Sequence, residues 1–337
     1  MQAIAYWLPI VWACLLGVGV VMYVLLDGFD LGIGTLFLSG ATEEERDHMM
    51  NSIAPYWDGN ETWLVLGGAG LLVAFPLAYG IIMPALYLPI IVMLLALVFR
   101  GVAFEFRFVA KPHHRWWDRA FSFGSIIATL CQGLVLGGFL QGIKVAERHY
   151  AGGAFDWLTP FSIVCGLALL SGYALLGAGW LMMKTSGELA ARARMQADIA
   201  LPITLFFIAV VSVWTPLVSE RIGARWFGGN HLLYLWPVPF ATAAVGMICW
   251  AGIRKASGVQ TFLSAMTLFL LCFLGLAIST SPYLVPPSVT FWDAAAVPES
   301  QIFSLIGVLL FLPLVLAYTA FVYWTFRGKV SEGGGYH

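Results

Sequence analysis

Nine apolar segments make up most of this chain, and each is close to the length that a helix needs to cross a lipid bilayer. They cover residues 7–38, 52–76, 79–107, 119–142, 160–184, 198–218, 232–252, 259–279 and 303–326. About 20 apolar helical residues span the roughly 30 Å of hydrocarbon. Only 10% of the residues are charged, against about 25% in soluble domains. The sequence therefore predicts an all-α integral membrane protein with nine transmembrane helices.

A short internal similarity indicates how these helices are grouped. Residues 39–43 follow the first predicted helix and residues 185–188 follow the fifth, and both lead into a charged stretch containing arginine. Internal repeats are common in membrane proteins. The pattern predicts two four-helix bundles plus one extra helix in a single membrane domain, with approximate halves at 1–150 and 151–337. Coincidence explains so short a match equally well.

The basic residues are unequally divided between the two sides of the predicted membrane domain. Thirteen of the 17 Lys and Arg residues fall on the side of loop 42–50, and Lys144, Arg148, Arg221 and Arg225 fall on the other. Lys and Arg are enriched in cytoplasmic loops. The loop is therefore predicted to be cytoplasmic, with the N-terminus outside and the C-terminus inside. No positive charge precedes the first apolar run, which we expect to remain as a transmembrane helix.

Two acidic clusters lie in the hairpin formed by the first two predicted helices. Asp27 and Asp30 are in the first helix, and Asp58 and Glu61 are in the second. Each pair is spaced i,i+3 and can share one helix face. Asp30 and Asp58 are about equally far from the intervening loop. We therefore expect these two aspartates at similar depth on antiparallel helices, where they can face each other.

Carboxylates inside an apolar segment are costly unless they are paired, hydrated or functional. One interpretation is structural: Asp27 and Asp58 cap helices or are hydrated at the headgroups, and Glu61 pairs with a basic residue such as Arg100. The other is a proton route from the cytoplasm. Residues 31–38 are apolar except for Thr35 and Ser39 follows them, which places the acids deeper than capping requires and favours the proton route.

Other residue types restrict the chemistry further. The histidines, His48, His113, His114, His149, His231 and His337, all lie in loops, at segment edges or in the tail. Buried haem usually takes a histidine ligand from a helix, so we expect no haem bound by this chain alone, although a methionine ligand stays open. The five cysteines are isolated in apolar segments and predict neither a disulfide nor a metal site. The sequence has no basic stretch of the kind that is typical of nucleic-acid binding.

Three stretches carry a specific resemblance to a known family. They are Leu26–Gly34 (LDGFDLGIG), Asn51–Trp63 (NSIAPYWDGNETW) and Phe99–Glu105 (FRGVAFE). They resemble subunit II of the cytochrome bd-type quinol oxidases. Later segments, 286–294 and 318–324, are similar to the family too, so the resemblance covers the whole chain. The short length and abbreviated late loops resemble the cyanide-insensitive branch.

The resemblance implies a subunit of a bacterial inner-membrane enzyme, with a periplasmic N-terminus and a cytoplasmic C-terminus. A homologous subunit I would carry the haems, of b and d type or b only, and oxidise quinol at the outer face. Oxygen would be reduced to water with protons from inside. A small single-helix subunit and surrounding lipid are further expected partners. Some members hold a structural quinone in subunit II.

The resemblance also assigns roles to residues of the hairpin. Family residues matching Asp30 and Asp58 are associated with a cytoplasmic proton pathway. We therefore expect these two aspartates to relay protons, and Asp27 and Glu61 to form the cytoplasmic mouth. The expected walls or hydrogen-bond partners are Trp57, Asn60, Trp63 and Arg100.

Two other functions remain compatible with the sequence. The first is a secondary transporter or ion channel in which the carboxylates bind a proton or sodium ion, and such a protein should work without a haem-bearing partner. The second is a purely structural subunit whose acids serve assembly. In that case substitutions of the acids should lower the yield of the complex but leave turnover per haem unchanged.

Overall fold

The computed structural model describes residues 2–109, 114–228 and 235–330, and this part is almost entirely helical. The helices are α1 (Gln2–Leu36), α2 (Glu43–Asn51), α3 (Trp57–Ala74), α4 (Pro76–Ala85), α5 (Tyr87–Val109), α6 (His114–Gln141), α7 (Pro160–Lys184), α8 (Gly187–Val218), α9 (Glu220–Phe227), α10 (Pro237–Arg254), α11 (Gly258–Thr280), α12 (Phe291–Ala294) and α13 (Pro298–Thr325). His113, His231 and His337 lie outside the described residues.

Within these ranges, eight helices are long and apolar enough to cross a membrane: α1, α5, α6, α7, α8, α10, α11 and α13. The all-α membrane prediction is thus confirmed. Helix α3 has 18 residues, but its first two turns carry Asp58, Asn60 and Glu61. These residues lower its mean hydropathy. The ninth transmembrane helix and the grouping into two bundles plus one helix therefore stay predictions.

Several predicted boundaries were wrong. The segment predicted at 79–107 is divided between α4 and α5, with the break at Leu86. Pro89 has no backbone N–H to donate, so the helix cannot continue its regular hydrogen bonding through this point. The segment predicted from residue 52 becomes regular helix only at Trp57, after turns around Pro55. Helix α8 begins at Gly187, before the apolar run predicted at 198–218.

Two short hairpins lie on the side opposite loop 42–50. Strands β1 (Val145–Ala146) and β2 (His149–Tyr150) are antiparallel, as are β3 (Tyr283–Val285) and β4 (Val289–Thr290). Asp293 and Thr290 form a reciprocal capping box at the start of α12. These hydrogen bonds from Thr290 lower the pKa of the Asp293 carboxyl. Asp293 therefore has a local structural role in this loop.

Helix α1 packs against α3, α6 and α7, and its contact with α7 is very close. A methyl group added at Gly32 would overlap the backbone carbonyl of Tyr173, and one added at Gly177 would overlap the backbone of Gly32. Small residues allow membrane helices to approach in this way. The contact fixes the position of the α1 turns that carry the acidic residues.

Gly32→Ala is expected to destabilise the protein by about 1–3 kcal/mol, because overpacking forces neighbouring groups to move. The loss can be measured as a lower unfolding midpoint of the purified protein in detergent. Gly307→Ala on α13 is the matched control, since an added methyl group there meets no atom within 4 Å. Equal midpoints for the two variants would contradict the proposed importance of the α1–α7 contact.

Candidate functional site

Asp27 on α1 and Arg100 on α5 form a buried ion pair. Arg100 Nη1 lies 2.6 Å from Asp27 Oδ1, and the two side chains are 1% and 0% exposed. The same nitrogen lies 3.9 Å from Glu61 Oε2 on α3, and the Glu61 side chain is 28% exposed. The Arg100 guanidinium therefore lies between two carboxylates and brings α1, α3 and α5 together. The predicted pairing of Glu61 with Arg100 is confirmed.

Asp30 lies one helical turn after Asp27 and is also fully buried. Asn60 Nδ2 on α3 donates a hydrogen bond of 2.8 Å to Asp30 Oδ2. The same nitrogen lies 3.3 Å from the backbone oxygen of Leu26. On its other side, Asn60 Oδ1 accepts a hydrogen bond of 2.9 Å from the Tyr323 hydroxyl of α13. The asparagine amide thus connects the carboxylate with a residue near the end of the chain.

A second polar group lies beyond Asp27, towards the middle of α1. Gln132 Nε2 on α6 donates a hydrogen bond of 2.7 Å to the Tyr23 hydroxyl. The Tyr173 hydroxyl on α7 donates one of 2.9 Å to Gln132 Oε1. Tyr23 precedes Asp27 by one turn. The buried polar residues therefore continue from the carboxylates into the apolar interior.

Four buried polar atoms of the cluster have no hydrogen-bond partner among the described residues: Asp27 Oδ2, Asp30 Oδ1, Arg100 Nε and Arg100 Nη2. Buried polar atoms in proteins are almost always satisfied by protein groups or ordered water. Buried water typically makes about three hydrogen bonds to such atoms. This arrangement suits water between the carboxylates and the guanidinium, and carboxyl groups joined by water can exchange protons.

Asp58 does not belong to this buried cluster. Asp58 and Gly59 are exposed, whereas Asn60 and Trp63 are buried. Residues two positions apart on a helix point about 200° apart, so the helix that turns Asn60 towards α1 turns Asp58 away from it. The expectation that Asp30 and Asp58 face each other was therefore wrong. The two residues are about equally far from loop 42–50 along the chain, but they point in different directions.

The placement of Asp27 at the cytoplasmic mouth was also wrong. Asp27 is fully buried and lies one turn farther from loop 42–50 than Asp30. Its burial is possible because Arg100 reaches into the helix bundle and pairs with it. Glu61 is the partly exposed member of the cluster. The two expected tryptophan walls both pack against the same hydrophobic core, Trp57 at its edge and Trp63 within it. Trp57 stacks on Phe104 at a centroid distance of 5.2 Å, and Trp63 belongs to the buried core.

Several polar contacts were missed by the sequence analysis. Besides Tyr323 and Gln132, a cluster of charged residues joins the loop-side ends of α2, α5 and α6. Arg107 Nε lies 2.5 Å from Asp118 Oδ1 and Arg46 Nε lies 3.1 Å from Asp118 Oδ2, while Arg107 also pairs with Asp47. Gln132 stands alone in an apolar segment and was therefore a detectable signal. Tyr323 was not, since tyrosine is common near membrane interfaces.

A large cavity of about 2490 Å³ lies between the membrane helices and is half open to the surface. Its walls come from α1 and from α3 to α11, and they are mostly apolar. Tyr23 and Gln132 lie at the wall. The cavity has the size and chemistry to hold an extended hydrocarbon chain.

The fold and this cluster together define a multi-pass helical membrane protein with a buried carboxylate–arginine site. The chain belongs to the cytochrome bd terminal oxidase subunit II family, whose model matches residues 8–326. The family resemblance stated from residues 26–34, 51–63 and 99–105 is thereby confirmed.

Individual relatives match over nearly their full lengths. The cytochrome bd-I ubiquinol oxidase subunit 2 of Escherichia coli is 30% identical over an alignment of 365 positions, which covers 96% of each chain. The cytochrome bd ubiquinol oxidase subunit 2 of Bacillus subtilis is 29% identical and covers 95% of this chain and 96% of its own. The bd oxidase structure from Geobacillus thermodenitrificans has a TM-score of 0.73 at 16% identity, covering 95% of this chain and 98% of that chain. This last similarity concerns the fold.

Proposed function

We propose that this chain is the haem-free subunit II of a bd-type terminal quinol oxidase. It supports a haem-bearing subunit I and supplies a cytoplasmic proton path for the reduction of O2 to water coupled to quinol oxidation. The observation that carries this proposal is the buried cluster of Asp27, Asp30 and Arg100, with its unpartnered polar atoms, in a member of this family.

The proposed path begins at the exposed end of α3. Asp58 is exposed and Glu61 is partly exposed, so both can take protons from the cytoplasmic side. Glu61 contacts Arg100, and Arg100 in turn pairs with Asp27. Asp30 lies one turn from Asp27 on the same face of α1. Water bridging the unpartnered oxygens would complete the connection between the two buried carboxyl groups.

The other site residues position and enclose this path. The positive charge of Arg100 compensates the carboxylates, which would otherwise repel each other in a medium of low polarity. Asn60 orients Asp30 through its amide, and Trp57 and Trp63 are the apolar walls of α3. The haems of the partner subunit would supply the electron transfer and oxygen reduction. This chain contributes proton uptake from the inner side.

The proposed orientation follows the division of basic residues. Thirteen lie on the side of loop 42–50 and four on the other, which makes the loop cytoplasmic and the N-terminus periplasmic. The charged cluster of Arg46, Arg107 and Asp118 then faces the cytoplasm. Since quinol would be oxidised outside and protons taken up inside, charge separation requires no pump.

The large cavity fits the structural quinone expected from the family. Its apolar walls suit an isoprenoid chain, and Tyr23 and Gln132 provide hydrogen-bonding groups for the ring. A bound quinone would stabilise the packing of the helices around the cavity. A phospholipid acyl chain suits the same walls. A small single-helix subunit would have to bind elsewhere on the lipid-facing surface.

A haem-bearing partner is what distinguishes this proposal from a transporter or channel. When this chain is tagged and purified in mild detergent, we expect an integral haem protein to co-purify and to show the absorption spectrum of b-type or b- and d-type haem. The described histidines, His48, His114 and His149, lie in α2, at the start of α6 and in β2. A haem-free chain that transports protons or sodium ions when reconstituted alone would contradict the proposal.

A further inference from the structure

Tyr323 is connected to Asp30 through a single side chain. The Tyr323 hydroxyl donates to Asn60 Oδ1 at 2.9 Å, and Asn60 Nδ2 donates to Asp30 Oδ2 at 2.8 Å. Asp30 is fully buried and Asn60 is 1% exposed. Consecutive hydrogen bonds polarise one another, so a change in one of these three side chains affects the other two. Tyr323 is therefore connected to the proposed proton carrier, Asp30, through Asn60.

The position of Tyr323 depends on an anchor at the end of α13. Helix α13 is largely exposed, and Gln301 is its buried residue within the described chain. At the other end of the helix, Lys184 Nζ lies 2.5 Å from the Phe326 carbonyl oxygen and 3.2 Å from that of Gly328. The Val330 backbone N–H donates back to the Lys184 carbonyl at 2.9 Å. The end of α7 thus holds the end of α13.

Tyr56 extends this anchor to the residues around Asp30. Lys184 Nζ lies 3.1 Å from the Tyr56 hydroxyl, which donates to the Phe326 carbonyl at 2.6 Å. The Tyr56 and Tyr323 rings pack with their centroids 4.6 Å apart. The Tyr323 ring is therefore held on one side by an aromatic contact while its hydroxyl bonds to Asn60.

The chemistry of the three groups suits a carboxyl that gains and loses a proton. An ionised carboxylate only accepts hydrogen bonds, whereas a protonated one can donate. The asparagine amide has a donor and an acceptor, and a tyrosine hydroxyl can act as either. When Asp30 is ionised, Asn60 donates to it and accepts from Tyr323. When Asp30 is protonated, the turned amide can accept from Asp30 and donate to Tyr323.

We propose that Tyr323 is a positioning residue of the proton path, acting through Asn60 on Asp30. It provides the amide with a partner in both orientations, and Lys184 holds it in place through the end of α13. The proposal rests on the proposed function of Asp30 as a proton carrier. The transferred proton binds to and leaves the Asp30 carboxyl, while Tyr323 keeps its own proton throughout.

Several ionisable groups surround Asp30 and contribute to any pH dependence measured there. Asp27 and Arg100 lie in the same buried cluster, and Glu61 lies on α3 beside Arg100. The phenols of Tyr56 and Tyr323 lie on the side of α13. A test of the proposal therefore has to observe Asp30 itself as well as turnover.

The test is Tyr323→Phe in the purified complete oxidase. Loss of the hydroxyl leaves one polar atom of Asn60 without its partner, and we expect turnover per haem to fall about tenfold. The pH profile of turnover should change. The carboxyl band that Asp30→Asn removes from the infrared difference spectrum should move. Tyr318→Phe is the matched control, because Tyr318 is on the same helix and is 67% exposed.

The inference would be overturned if Tyr323→Phe kept the wild-type turnover, pH profile and carboxyl band while Asp30→Asn was inactive. An active Asp30→Asn would instead show that the proposed proton path is wrong. If Tyr323→Phe does not assemble, a fluorinated tyrosine at position 323 decides the question, because it keeps the ring and hydroxyl while strengthening the donor. A shifted carboxyl band would then support the inference, and an unshifted band would reject it.

Discussion

Asp30→Asn is expected to lower oxygen consumption per haem by about 10²-fold or more. A positioned group that transfers protons typically contributes a factor of about 10² to 10⁴. Asparagine has nearly the same shape as aspartate and can bond to Asn60, but it cannot carry a proton. The measurement is steady-state oxygen consumption by the purified oxidase with excess quinol, normalised to haem content from the absorption spectrum.

Two further variants make this result specific. Asp58→Asn should also slow oxygen consumption if the exposed carboxylate at the start of α3 delivers protons to the cluster. Asp198→Asn is the matched control, since Asp198 is exposed on α8 and contacts Arg254 only at 3.9 Å. Asp30→Asn with full turnover and intact haems would refute the proton path through this chain.

The same measurements separate proton delivery from a purely structural role. If the acidic residues serve assembly alone, Asp30→Asn should reduce the amount of purified complex while each remaining complex turns over at the wild-type rate. If Asp30 carries protons, the amount should change little and the rate per haem should fall. Yield and rate therefore have to be reported separately for every variant.

The sequence predicted the membrane fold well because hydrocarbon thickness sets the length of an apolar segment directly. It was less informative about helix breaks inside apolar regions. Pro84 and Pro89 were visible in the sequence, but the residues around them are apolar, so hydropathy gave no sign that α4 and α5 are separate helices. Backbone hydrogen bonding, rather than hydropathy, determines that break.

The site shows a different limit. Counting residues from loop 42–50 correctly placed the second acidic cluster near the first in depth, but depth does not determine how a helix is rotated. The rotation of α3 depends on its packing against α1, which buries Asn60 and exposes Asp58. Tyr323 was harder still to identify, because it is 263 residues from Asn60 in sequence. Only the packing of α13 brings the two together.

Removal of Arg100 is expected to have the largest effect on stability. Arg100→Met leaves Asp27 buried without its partner at 2.6 Å, and breaking a buried pair in this way costs about 3–5 kcal/mol. The expected result is a low yield of complex and a much lower midpoint of thermal unfolding in detergent. The exposed Arg254→Met is the control, because a surface ion pair contributes about 0–1 kcal/mol.

The double variant Arg100→Met with Asp27→Asn tests the cause of that loss. Once Asp27 is neutral, no uncompensated charge remains between the two side chains, so most of the lost stability should return. Proton delivery should not return, because the positive charge beside Asp30 and Glu61 is still missing and residue 27 can no longer carry a proton. A double variant no more stable than Arg100→Met would show that Arg100 stabilises the helices by packing alone. A stable double variant with slow oxygen consumption would assign the buried Asp27–Arg100 pair to the proton path.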